Sequence, residues 1–156
     1  YARVTFTITT TDDDLALRVE PVAPSPSARL RAMRELAGAG IEVGVAMMPI
    51  LPFLEDTAES VSSVVREAAG CGASYVIPGL GMTLRDRQRD YYYARLDEWF
   101  PGLRHRYERA YGERYSCAAR NAAALHEVVV STCGTHGIAM GITPYRPGNA
   151  VQPPLL

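Results

Sequence analysis

The sequence predicts an α/β fold, with three parallel strands carrying helices on one side and a helical C-terminal extension after them. Three observations predict it. Residues 41–51 form a near-continuous apolar run, Ile-Glu-Val-Gly-Val-Ala-Met-Met-Pro-Ile-Leu, which suits a strand buried on both faces. Strand-like and helix-like segments alternate as β-α-β-α-β up to Gly81. The joints between helix and strand are short and marked by Gly38 and Gly40, then by Gly70 and Gly72, a pattern that favours right-handed parallel crossovers.

The elements follow in order. Residues 3–10 alternate Val4, Phe6 and Ile8 with Thr5, Thr7 and Thr9, giving a strand with one polar face. Thr11 to Asp14 stops it, and Asp12 or Asp13 caps a short helix running to about Glu20. Pro21, Pro24 and Pro26 make a loop. Ser25 or Ser27 begins the next helix with Pro26 in its first turn, and Leu30, Met33, Leu36 and Ala37 carry its period. The strand over 41–51 is closed by Pro49 and Pro52. Glu55-Asp56-Thr57 opens a helix buried through Val61, Val64, Val65 and Ala68. A third strand starts at Ser74 and ends in Gly79-Leu80-Gly81.

The extension reads as helices over 85–100, 103–111 and 118–134, a short extended piece over 137–142, and an irregular tail. The expected units are therefore 1–83, 84–145 and 146–156. Tyr91, Tyr92 and Tyr93 point in different directions on a helix, so they are read as core packing against the sheet rather than a stacking platform for bases.

Composition narrows the function. The chain has 156 residues, 47% hydrophobic and 21% charged, which fits one soluble globular domain. A net charge of −1 leaves no basic footprint for nucleic acid. No apolar run approaches the roughly 18 residues of a membrane helix. The chain opens inside a strand, without initiator Met or leader, and reads as an excised domain. Cys71, Cys117 and Cys133 have neither framework nor CxxC spacing, so a cytoplasmic location and no metal site are expected. Cys117 and Cys133 are read as small buried hydrophobes. His105, His126 and His136 have no ligand spacing and no assigned role.

Several stretches together carry a family resemblance: Val4 to Thr10, Glu20-Pro21 with Ala23-Pro-Ser-Pro26 and Arg29-Leu30, Ala39 to Val45, Pro49-Ile-Leu-Pro52 with Glu55-Asp56, and Ala73 to Val76. Tyr91 to Tyr93, Phe100-Pro-Gly-Leu103, Arg106-Tyr107, Tyr111-Gly112, Tyr115-Ser-Cys117, Leu125 and Cys133 to Ile138 complete the series. In order and spacing they resemble the last half of radical-SAM proteins related to spore photoproduct lyase, often labelled DNA repair photolyases. The resemblance implies a partial (β/α) barrel, of which strands 3–10, 41–51 and 74–80 are the fourth to sixth. It implies a parent enzyme that uses S-adenosylmethionine and a 4Fe–4S cluster held by a CxxxCxxC loop. That loop is absent here, and the three cysteines present do not have its spacing. No catalytic residue is therefore assigned, and neither cofactor is expected to bind this chain alone.

The same resemblance points to the residues that hold S-adenosylmethionine. Thr7 and Thr9 lie on the polar strand face, where a hydroxyl meets the ribose or amino group. Arg29 suits the carboxylate, because its planar fork pairs bidentately. Ile50, at the end of the second strand, packs on the adenine. Phe53 stands where relatives often have glycine, which removes conformational latitude. The implied partners are the missing N-terminal half, a second copy through the exposed sheet edges, and nucleic acid as a substrate of the parent. Two functions stay open: an enzyme fragment supplying part of a cofactor pocket, or a non-catalytic barrel module for partner binding.

Overall fold

The computed structural model describes residues 2–144. Its elements are β1 (Arg3–Thr7), α1 (Asp13–Val19), α2 (Pro26–Gly38), β2 (Glu42–Met47), α3 (Ala58–Gly70), β3 (Tyr75–Pro78), β4 (Gly81–Thr83), α4 (Asp86–Trp99), α5 (Leu103–Tyr111), β5 (Ser116–Ala118), α6 (Ala122–His136) and β6 (Ala139–Met140). The fold is α/β. One parallel sheet runs β1-β2-β3-β6, and β4 pairs with β5 in a separate antiparallel ribbon. None of the helices among the described residues is long and apolar enough to cross a membrane.

The helix starts follow local chemistry. The Asp12 carboxylate accepts the amides of Asp14 and Leu15, Ser25 accepts Ala28 N with Pro26 in the first turn, and Thr57 accepts Ser60 N. α3 begins at Ala58 rather than at Glu55, because Glu55 and Asp56 use their carboxyl groups on loop amides instead. β1 is shorter than its alternation suggests. Ile8 N still reaches Ala46 O at 3.2 Å, but Thr10 turns to accept from Asp12 N at 3.1 Å.

The parallel sheet has four strands, one more than the sequence predicts. The extra one is β6, the short extended piece of the extension. Ala139 N donates to Ser74 O at 2.9 Å and Gly141 N to Val76 O at 2.8 Å. The extension thus covers the β3 edge, while among the described residues β1 has a strand neighbour on one side only.

Two cores result. In the first, the apolar face of the sheet (Val4, Phe6, Val43, Val45, Met47 and Val76) meets Met33 of α2, Val61, Val64 and Val65 of α3, and Leu125, Val129 and Cys133 of α6. The second has its buried residues in the extension, among them Tyr93, Leu96, Leu103, Tyr107, Tyr111 and Cys117, and takes Phe53, Leu54 and Met82 against its flank. The expected extension is therefore shared between the two cores over residues 84–144, and 145–156 lie outside the described residues. The tyrosine run packs against α5, not against the sheet: Tyr93 is buried, Tyr92 half-buried and Tyr91 67% exposed. Arg89 is buried among these rings and donates to the carbonyls of Gly112 and Arg114, both at 2.7 Å. α6 starts later than its composition suggests because residues 116–118 first pair with β4.

The opposite sheet face is mixed, polar on β1 and small or apolar further in. Alternation and register line up Arg3, Thr5 and Thr7 with Glu42, Gly44 and Ala46, and then with Tyr75 and Ile77. The Tyr75 ring crosses Gly44 to reach the Thr5 hydroxyl at 2.5 Å, and the Arg3 guanidinium lies 5.4 Å from its centroid. A Cβ on Gly44 would sit 2.3 Å from that ring. Gly44→Ala should therefore cost about 1–3 kcal/mol through overpacking, read from the midpoint of urea unfolding. An unchanged midpoint would show that the ring can move aside.

Candidate functional site

The loops at the C-terminal ends of β1, β2 and β3 meet α4 and the β4–β5 ribbon around a two-chambered cleft. Ligands of open parallel sheets sit at this end. The deeper chamber, about 470 Å³, has Thr9, Glu55 and Leu51 at its base and Tyr92, Leu96, Trp99 and Phe100 among its walls. The wider one, about 760 Å³, is bordered by Met48, Gly79, Thr83, Gln88 and Ser116. Pro49, Met82, Tyr91 and Tyr92 belong to both.

Residues 49–56 shape the base of the cleft. Glu55 is fully buried. It accepts the Thr9 hydroxyl at 2.7 Å and Leu51 N at 2.8 Å. Burial pushes its carboxyl up to about 7; the bonds from Leu51 and Thr9 pull the other way, and Glu20 and Asp56 add a small upward push. Asp56 points the opposite way. It accepts Phe53 N at 2.7 Å, Arg120 N at 2.8 Å and the Arg120 guanidinium at 3.2 and 3.3 Å.

Phe53 takes φ +66°, the left-handed conformation that glycine adopts without strain. For a side chain this conformation costs roughly 1–2 kcal/mol. Its ring offsets that cost by lying between the guanidinium groups of Arg106 (4.5 Å) and Arg120 (4.9 Å), edge-on to Tyr107 at 5.2 Å. Tyr107 donates to Pro52 O at 2.5 Å and accepts from Tyr92 at 2.9 Å. Burial holds both phenols far above their ordinary range.

The sequence-assigned residues fall in three places. Thr7 ends β1 on the polar sheet face, exposed, and its carbonyl accepts Arg29 Nη1 at 2.7 Å. Arg29 also pairs with Glu20, and this group borders a groove of about 700 Å³ between β1 and α2. Thr9 lies beyond the end of β1, 8% exposed, in the deeper chamber. Ile50 is fully buried in the first core, and its amide donates to Gly79 O at 3.0 Å. Glu55 escaped the sequence reading as a site residue, because an acidic pair ahead of a helix looks like an ordinary helix start.

The cysteines do not offer an iron–sulfur site. Cys71 and Cys133 are buried in the first core and Cys117 in the second. Burial raises the thiols of Cys117 and Cys133, and among the described residues no three potential ligands converge.

No protein-family profile matches the chain. A stretch of 100 residues, 64% of the chain, is 32% identical to an uncharacterized protein of Mycobacterium tuberculosis and to one of Mycobacterium bovis, and covers 29% of each. A stretch of 72 residues, 44% of the chain, is 36% identical to an uncharacterized protein of Acidianus two-tailed virus and covers 24% of it. The chain thus corresponds to less than a third of the length of these relatives.

Proposed function

We propose that this chain is the C-terminal half of the barrel of a radical-SAM enzyme related to spore photoproduct lyase, contributing part of the S-adenosylmethionine pocket but no cluster ligand. The observation that carries the reading is the strand order. Crossovers of one hand that add each strand on the same side put every helix on one face. The other face of a parallel sheet must then be covered by closure into a barrel or by another layer. Here α2, α3 and α6 share one face, and the other carries Thr5, Thr7 and Tyr75.

In this reading the outer edge of β1 takes the preceding strands of the parent or a second copy. When bound to a cluster, S-adenosylmethionine supplies the radical. This chain's residues only hold it. Thr7 offers its hydroxyl from the polar face. Arg29, already fixed by Thr7 O and Glu20, turns a guanidinium edge to the carboxylate. Met48 and Pro49, on the cleft wall, take the adenine contact in place of the buried Ile50 side chain.

Calorimetry of this chain with S-adenosylmethionine should give weak binding or none; micromolar affinity would contradict the claim that the rest of the barrel completes the pocket. The longer protein, reconstituted anaerobically with iron and sulfide, should form 5′-deoxyadenosine on reduction. Arg29→Ala should weaken its S-adenosylmethionine binding about ten-fold, the scale of one charged hydrogen bond. Absence of 5′-deoxyadenosine from the intact reconstituted protein would sink the reading.

A further inference from the structure

The deeper chamber has a polar floor that the reading above leaves without a task. When Glu55 is ionised, the Thr9 hydroxyl gives its single proton to it at 2.7 Å. The Thr9 oxygen then presents only lone pairs to the chamber. Glu55 lies directly beneath, beyond solvent, and its second oxygen accepts Leu51 N at 2.8 Å. Both of these donors are neutral. A buried carboxylate held by neutral donors lacks the cation that would compensate its burial. The walls include Tyr92, Trp99 and Phe100, and aromatic walls around an acidic floor favour organic cations.

The charges at the rim of the chamber are mixed, and the cations among them do not reach its floor. Glu20 is paired with Arg29, and Asp56 with Arg120. Arg18 and Arg95 also border the chamber, but both are exposed. Arg95 is held by Glu98 at 2.7 Å and lies over the Tyr91 ring. Neither is a hydrogen-bond donor to Glu55, whose carboxyl rises to about 7 because burial outweighs its two donors.

We propose that this chamber binds a small organic cation with an apolar or aromatic body, its N–H group donating to Thr9 Oγ above the Glu55 carboxylate and its body lying against the aromatic wall. The inference does not depend on the barrel reading: the cation meant is an arylalkyl amine, not the S-adenosylmethionine that the reading above places at Thr7, Arg29, Met48 and Pro49.

The test is calorimetry of the chain with phenethylamine and with its neutral counterpart 2-phenylethanol, at pH 6 in two buffers of different ionisation enthalpy. At that pH the amine is charged and Glu55 holds its proton, so binding of the cation should release about one proton. The amine should bind about ten-fold more tightly than the alcohol, one charged hydrogen bond's worth. Glu55→Gln should abolish the proton release and remove the preference for the amine while leaving the alcohol unaffected. Thr9→Ser should retain both and Thr9→Val should lose the preference, with circular dichroism confirming that each variant is folded.

Equal affinity for amine and alcohol, no amine binding at millimolar concentration, or proton release that persists in Glu55→Gln would overturn the proposal. Competition by S-adenosylmethionine in wild type but not in Glu55→Gln would overturn it, by making the chamber part of the cofactor pocket. Amine binding that S-adenosylmethionine leaves untouched would support it. Formation of 5′-deoxyadenosine by the longer protein reports on the barrel reading alone, so the two can fail separately.

Discussion

Glu55→Gln should remove a pH dependence of stability that the wild-type chain shows between about pH 4.5 and 7. The sign follows from the proton balance. The folded carboxyl titrates at about 7 and an unfolded one near 4.5. Between these values the unfolded chain has released a proton that the folded chain still holds. Stability therefore falls as pH rises through the window and is level above it. The full difference amounts to roughly 3 kcal/mol, at about 1.4 kcal/mol per unit. Gln keeps an acceptor oxygen for Thr9 or Leu51 and has no proton to lose, so the variant should be the more stable chain above pH 7. Urea unfolding of both proteins from pH 4.5 to 8 measures it. Parallel stability curves would show that Glu55 does not titrate in that range. Asp13, Glu59 and Glu108, surface carboxyls held low by their partners, act in the opposite sense at the acid end. They are common to both proteins and cancel in the difference.

Asp56→Ala should produce the largest loss of stability in the 49–56 loop, roughly 3–5 kcal/mol. The carboxylate is wholly buried beneath Arg120, whose own side chain is 47% exposed. Removing it strips acceptors from two backbone amides, Phe53 N and Arg120 N, and amides left without partners carry their full desolvation cost. It also frees a loop that holds Phe53 in a left-handed conformation. Asp56→Asn keeps one acceptor and should lose about half as much. Arg120→Ala removes only the half-exposed guanidinium and should cost about 1 kcal/mol, since the backbone amide remains. Equilibrium unfolding of the three variants gives the order. If Arg120→Ala proves as damaging as Asp56→Ala, the ion pair rather than the amide network holds the loop.

Local periodicity made much of this fold legible. Val4, Phe6 and Ile8 announce β1, and Val61, Val64, Val65 and Ala68 announce α3, because each element buries one face against the same core. The caps at Asp12, Ser25 and Thr57 are readable for the same reason: a helix start satisfies its amides locally. What stayed hidden depends on distant residues. β6 is a two-residue strand whose existence is decided by the free edge of β3, and β4 and β5 exist only because each meets the other. The aromatic run at Tyr91 to Tyr93 could be recognised as core, but not its partner, since α5 competes with the sheet for those rings. At the site, Thr9 and Glu55 are 46 residues apart in sequence. No local pattern joins a strand-end threonine to an acid that looks like a helix cap. Phe53 shows the reverse case. Its position is one where the resembling proteins often have glycine, and the backbone there is left-handed, with surrounding guanidinium groups supplying what glycine would not need.

The sheet is built mostly from neighbours in sequence, yet its last strand arrives from the far end of the chain. β1, β2 and β3 each join a strand already beside them, so their loop closures are short and their assembly is local. β6 reaches β3 only after α4, α5 and α6 have been placed, and it is held by two residues of pairing. Native-state opening should thus begin where assembly ends. The amides of Ala139 and Gly141 belong to the least protected unit of the sheet, and those of Val45 and Met47, in β2, which keeps a strand on each side when β6 opens, to the most protected. When β6 frays, the edge of β3 is bared without loss of the first core's central strands, and the described residues then present two open edges where at rest they show one.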